Sequence, residues 1–423
     1  MPVRRFDARS WAASPFALRR FDLSQFAEER AAVAEICSRV LTDGDLALSE
    51  LGRRFDGWAP PEGQSFEVPP ADYAAAIARV ASADRAALEF AASRISEFHE
   101  RQVAPDSTGP DALKLVTRPV HRAGIYAPGG RASYPSTVLM TAIPARVAGV
   151  SELVLASPPR PNGTIPDAIL AAAHIAGVDR VYRIGGAQAI AAFAYGTASI
   201  PRVDLIAGPG NIYVTLAKKE VFGAVGIDGI AGPTEVVVIA DSNARPDFVA
   251  ADLAAQLEHD PLAWGVLFTD SAQLADRVEE ELTSLVRGLE RADIIREANC
   301  CVVVAESIDQ AISLTDDFAP EHLLIVTDDS ARVADAVRNA GAVFVGPYAT
   351  VPLGDYTAGP NHTLPTSGAA RFGSPLGVHT FLKRTSVLSL SRADVETLHD
   401  PTVRLAHLEG LGAHAHAVEV RLE

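Results

Sequence analysis

The strongest constraint in this sequence is a repeated alternation of short, wholly apolar runs with helix-forming stretches. Segments 153–156, 180–184 and 203–207 form one series, separated by Ala-rich stretches around 166–176 and 188–195. Segments 235–240, 265–269, 301–305, 323–326 and 342–345 form a second. A strand that is apolar on both faces must be covered on both faces. The connection that covers it is a helix, which makes the strands parallel. The alternation therefore predicts an α/β protein with two parallel-sheet domains.

The flanking segments read differently. The first 24 residues lack periodicity and are expected to form an arm. A helix follows from Ser24, with Phe26, Val33, Ile36 and Val40 on one face at helical spacing. A second long helix is expected over 71–102, and 113–126 is apolar and β-branched. Segment 347–377 is rich in Gly, Pro, Ser and Thr and reads as a long irregular, functional stretch. The tail carries little strand signal but crowds His379, His399, His407, His414 and His416.

A formal charge of −16 disfavours nucleic acid and anionic membrane surfaces as partners. No apolar run is long enough to span a bilayer, and no secretory leader is apparent at the start. The three cysteines, Cys37, Cys300 and Cys301, read as reduced core residues of a cytoplasmic protein.

Several polar segments could carry chemistry. Gln256 and His259 lie three apart at a helix end, a spacing that either caps the helix or lets both hold one metal ion. Glu321-His322 precedes an apolar run, so a carboxylate and an imidazole could divide acid and base work there. Asp355 and His362 sit seven apart in the Gly/Pro-punctuated stretch, and Glu409 precedes His414 and His416 in the tail. Gly185-Gly186-Ala187-Gln188 and Gly208-Pro209-Gly210-Asn211 each join a strand to a helix, where backbone N–H groups can meet phosphate. Neither is a complete dinucleotide fingerprint.

Taken in order, these segments resemble the histidinol dehydrogenase family. The likeness also rests on Gly124-Ile125-Tyr126-Ala127-Pro128-Gly129-Gly130, Tyr134-Pro135-Ser136, Ala231-Gly232-Pro233-Thr234-Glu235 and Pro360-Asn361-His362. It runs from about Ser24 to Arg421. The resemblance implies a zinc- and NAD-dependent enzyme that oxidises L-histidinol to L-histidine through L-histidinaldehyde. It places the zinc ligands on Gln256, His259, Asp355 and His414, with one ion per subunit. The catalytic pair falls on Glu321, which activates water, and His322, the general base. Substrate contacts would include Thr234, His362 and Glu409 beside the metal ligands and His322, and NAD would touch Tyr126, Gln188 and Asn211.

The resemblance also implies a homodimer in which each tail completes the partner's site, and two incomplete Rossmann-like, doubly wound domains. The expected division is an arm at 1–23, a first domain at 24–128 with 235–373, a second at 129–234, and a tail domain at 374–423. Thr234 stands where the family more often has Ser, and His416 competes with His414 as the tail ligand. A related zinc- and NAD-dependent dehydrogenase of another polar alcohol, such as a sulfonated diol, would share the pair and the metal set. A metal-dependent hydrolase and an inactive NAD-binding regulator are the rivals from other classes.

Overall fold

The computed structural model describes residues 3–14, 23–103, 107–108, 113–129 and 133–423. Its strands among the described residues are β1 (Val3–Asp7), β2 (Glu67–Val68), β3 (Ser107–Thr108), β4 (Leu113–Pro119), β5 (Arg122–Tyr126), β6 (Glu152–Ser157), β7 (Arg180–Arg183), β8 (Leu205–Ala207), β9 (Gly226–Ile227), β10 (Glu235–Ala240), β11 (Trp264–Thr269), β12 (Asn299–Val304), β13 (His322–Val326), β14 (Ala342–Val345) and β15 (Leu382–Leu388). They divide between two compact units. The first comprises Met1–Gln102 and Val120–Phe381, and the second Val103–Pro119 and Leu382–Glu423.

The first unit holds two six-stranded sheets, ordered β2-β7-β6-β5-β8-β9 and β1-β12-β11-β10-β13-β14. Within each, the five strands β7-β6-β5-β8-β9 and β12-β11-β10-β13-β14 run parallel. Numbered from its own first strand, each set reads 3-2-1-4-5. That is the dinucleotide-binding order without its sixth strand. Each chain reversal falls between strands 1 and 4, at β5/β8 in one sheet and β10/β13 in the other. Helices such as Asp167–Ile175, Gly186–Tyr195, Pro246–Leu257 and Ile308–Phe318 make the crossovers. The central strands bury nearly every side chain, β10 and β13 at all of their positions, whereas the edge strands β1 and β14 are partly exposed. The parallel α/β class therefore stands as read.

Four expectations are corrected. The arm at 1–23 is in part a strand: β1 adds in parallel to β12, pairing Val3 with Cys300 through Asp7 with Val304. Positions 1–2 and 15–22 of that expected arm lie outside the described residues. An edge strand covered on one side leaves little hydrophobic alternation, which is why it reads as irregular. The helix expected over 71–102 is two helices, Pro70–Arg79 and Ser82–Glu100, parted by extended backbone at Val80 and Ala81. The division that joined 24–128 to 235–373 is also displaced, because β2 and β5 belong to the sheet of β6–β9. The tail does contain a strand, β15, which pairs antiparallel with β4 in the second unit. Its positions are almost all exposed, so no apolar run marks it.

Among the described residues no helix is long and apolar enough to cross a membrane. The three cysteines are free and buried.

Trp11, fully buried after β1, meets the rings of Phe6 and Phe268 edge-on and Phe318 at a tilt. Trp11→Ala is expected to lower stability by about 3–5 kcal/mol in urea denaturation. A loss below about 1 kcal/mol would mean that the N-terminal segment is not part of the core.

Candidate active site

Two neighbouring parallel strands, β10 and β13, begin side by side, with Val236 opposite His322. The residues at their amino ends are therefore forced together: Thr234 and Glu235 on one, Glu321 and His322 on the other. Glu321 Oε2 accepts from the Thr234 hydroxyl at 2.6 Å and from the Glu235 backbone N–H at 2.9 Å. Gln256, at the end of helix Pro246–Leu257, donates its amide to the same Thr234 hydroxyl. One hydroxyl thus links an expected metal ligand to an expected catalytic carboxylate.

His322 is buried, and its Nδ1 lies 3.0 Å from the Glu235 carbonyl oxygen. A carbonyl can only accept, so Nδ1 carries the hydrogen and Nε2 is the basic nitrogen of the neutral ring. Nε2 is buried without a hydrogen-bond partner and stands 3.6 Å from Asp355 Oδ1. Burial alone would push the His322 pKa down, but the charges of Glu321 and Asp355 outweigh it and hold it up at about 10.

Asp355 sits on the short helix Val351–Tyr356. Burial would raise its carboxyl, yet the facing His322, helped by His362 and His259, brings it below the ordinary value. His362 donates from Nδ1 to the Asp355 carbonyl at 2.9 Å, and its Nε2 lies 3.4 Å from the Thr137 hydroxyl. Burial lowers the His362 pKa, against the opposing pull of Asp355.

These side chains line one cavity of about 360 Å³. Its walls include Thr234, Gln256, His259, Glu321, His322, Asp355 and His362, together with Asn211. The two sheets present opposite edges to it. Pro128 and the Pro209-Gly210-Asn211 turn follow the carboxyl ends of β5 and β8, whereas Glu321 and Thr234 flank the amino ends of β13 and β10. Both chain reversals therefore face the same space.

The expected cofactor contacts divide. Asn211 caps helix Ile212–Val221, accepting from the N–H groups of Tyr213 and Val214, and lines the cavity. Tyr126 and Gln188 are buried and do not line it. The Tyr126 hydroxyl accepts from Gly186 N–H at 3.0 Å, and Gln188 donates to Asp56 at 3.3 Å. Both thus meet the Gly185-Gly186 turn at the opening of helix Gly186–Tyr195. Glu409 and His414 are exposed residues of the second unit, on the ends of helices Arg392–Leu408 and Gly412–Glu419. His416 lies 3.9 Å from Glu419.

Among the described residues no group of three His, Cys, Asp or Glu is placed to hold a metal ion. The expected set has only His259 and Asp355 of those types in the cavity; its other donor there is an amide. Gln256 Oε1 is buried without a hydrogen-bond partner in a residue of the cavity wall, an acceptor available to an electropositive group. An imidazole, a carboxylate and an orphaned amide oxygen form a mixed N/O donor set of the kind that leaves positions open to substrate.

The family model described as histidinol dehydrogenase matches residues 20–422. The chain belongs to the histidinol dehydrogenase family. A histidinol dehydrogenase of Prochlorococcus marinus is 48% identical over 400 residues, covering 93% of this chain and 90% of the relative. One of Bordetella parapertussis is 45% identical over 430 aligned positions, covering 100% of this chain and 98% of the relative. The crystal structure of histidinol dehydrogenase from Elizabethkingia anophelis matches with a TM-score of 0.90 at 33% identity, covering 100% of this chain and 98% of that one.

Reading from motifs missed Glu235 and Thr137 as site residues. The signal for Glu235 was a carboxylate opening an otherwise apolar strand.

Thr234→Val removes a hydroxyl that serves both Glu321 and Gln256. It is expected to cost about 1–3 kcal/mol in kcat/KM, roughly 10- to 100-fold, whereas Thr234→Ser keeps most activity. Equal kcat/KM for the Val and Ser variants would show that the hydroxyl link is not used.

Proposed function

We propose that this chain oxidises L-histidinol to L-histidine through L-histidinaldehyde, in the cytoplasm, with NAD and zinc. The observation that carries the reading is the pairing of two differently prepared groups in one cavity: a buried imidazole with a free Nε2, and a carboxylate held by Thr234 and a backbone N–H. That division suits a two-stage oxidation. In the first stage the neutral form of His322 takes the hydroxyl proton on Nε2 as hydride leaves the carbon. In the second, Glu321 takes a proton from water as its oxygen adds to the aldehyde, and hydride leaves the same carbon again. Across both stages the substrate gives up four electrons and gains one oxygen from water.

Zinc held by Gln256, His259, Asp355 and His414 supplies, when bound, an anchor for substrate and a positive charge that competes with the His322 imidazolium for Asp355, while NAD supplies the hydride acceptor. Thr234 and His362 orient the substrate from opposite walls. Asn211 lies where the cofactor's reactive end must come, and Tyr126 and Gln188 brace the Gly185-Gly186 turn beneath it.

The reading extends to a homodimer in which Glu409 and His414 of one chain complete the partner's cavity. Their exposure supports it, as do the exposed Leu405, Leu408 and Leu411 around them. Surface leucines grouped with functional residues mark a face built for protein contact.

Glu321→Gln keeps the shape and removes the water-activating charge. Single-turnover assays are expected to show aldehyde oxidation slowed by roughly 100-fold or more and alcohol oxidation by less than about tenfold. Equal losses in the two half-reactions would contradict the division of labour.

A further inference from the structure

The buried carboxyl group of Glu235 has no part in the chemistry above, yet the residue is bonded to both members of the proposed reacting pair. Glu235 opens β10 with none of its surface exposed. Its Oε2 accepts from the Glu321 backbone N–H at 3.3 Å, and its Oε1 accepts from the Ser367 backbone N–H at 2.6 Å. Its own N–H donates to Glu321 Oε2 at 2.9 Å, and its carbonyl accepts from His322 Nδ1 at 3.0 Å. Glu235 and Glu321 thus clasp each other reciprocally across two strands, each carboxylate holding the other's backbone N–H.

The third attachment is equally specific. Ser367 has φ of +57°, one of two non-glycine residues in the left-handed region among the described residues; the other is Ala319, two positions before Glu321. Such backbone persists only where its surroundings dictate it. Thr366, just before Ser367, lines the cavity and accepts from the Gly232 N–H at 2.6 Å. A carboxylate this deep is costly unless its oxygens are satisfied. The two oxygens of Glu235 each take a backbone N–H, one from Glu321 and one from Ser367.

We propose that Glu235 is a positioning residue: it fixes the Glu321-His322 pair and the Thr366-Ser367 wall in a single frame, and so sets the geometry of both oxidation steps. The proposal rests on Glu321 and His322 being the reacting pair. The frame needs two acceptor oxygens on one side chain, which a carboxyl group supplies. Glutamine has one acceptor oxygen and must present its NH2 to the remaining N–H, donor against donor. Aspartate is one methylene too short to span both.

The test is a double-mutant cycle on the zinc-loaded enzyme with Glu235→Gln, Glu321→Gln and the pair combined, following kcat, KM for L-histidinol, zinc content and the thermal midpoint. Glu235→Gln is expected to lower kcat about 10- to 100-fold while changing KM less than about threefold and leaving zinc content intact. The double variant should be scarcely slower than Glu321→Gln alone, because a residue acting through another adds nothing once that one is gone. Glu235→Asp, in the same cycle, should recover little and gives the same reading should the Gln variant fold poorly. Unchanged kcat in Glu235→Gln, or fully multiplicative losses in the double variant, overturns the proposal. Unchanged kcat in Glu321→Gln instead overturns the assignment of the pair on which it rests.

Discussion

The parallel pairing of β10 with β13 is the constraint on which the site depends. Its register puts Val236 beside His322, so Glu235 and Glu321 arrive next to each other at the sheet's amino edge. Two carboxylates so close repel unless donors are shared between them. Here each takes the other's backbone N–H, and the Thr234 hydroxyl adds a further donor to Glu321. The electrostatic cost of placing two buried acids together is thereby turned into rigidity. His322 inherits that rigidity through its Nδ1 bond to the Glu235 carbonyl, which aims Nε2 at Asp355.

The second organising fact is the shared strand order of the two sheets. Ligands of open α/β sheets collect where the strand order reverses, at the carboxyl edge. The β5/β8 sheet follows that rule with the 209–211 turn. The β10/β13 sheet presents its amino edge instead. One sheet thus offers helix-opening turns of the kind that suit a phosphate-bearing cofactor, and the other acids, imidazoles and an amide of the kind that suit a polar substrate. An active site assembled this way needs no complete dinucleotide fingerprint.

Much of this was legible in the sequence because it is local. The apolar segment 235–240 coincides with β10, since a strand buried on both faces has no alternative pattern, and 342–345 coincides with β14, an edge strand whose positions are partly exposed. Gln256 with His259, Glu321 with His322, and Asp355 with His362 carry their spacing in short motifs, and all line the one cavity. What stayed hidden depends on pairing between distant segments. β15 shows no apolar run because nearly all its residues are exposed, and its partner β4 lies far away in sequence. β1 is recognisable only once β12 is beside it. Glu235 opens the apolar segment 235–240, and its nearness to Glu321 follows from register, which no local pattern states. Tyr126 and Gln188 were placed correctly at a strand end and a helix start, but they meet the Gly185-Gly186 turn and Asp56 instead of the cavity.

In the proposed reaction one cavity performs two successive oxidations on the same carbon. The most direct test is the number of NADH formed per L-histidinol consumed by the zinc-loaded protein, with the product identified. Two NADH per substrate and L-histidine as product is the predicted result. One NADH per substrate, with the aldehyde released, would contradict it.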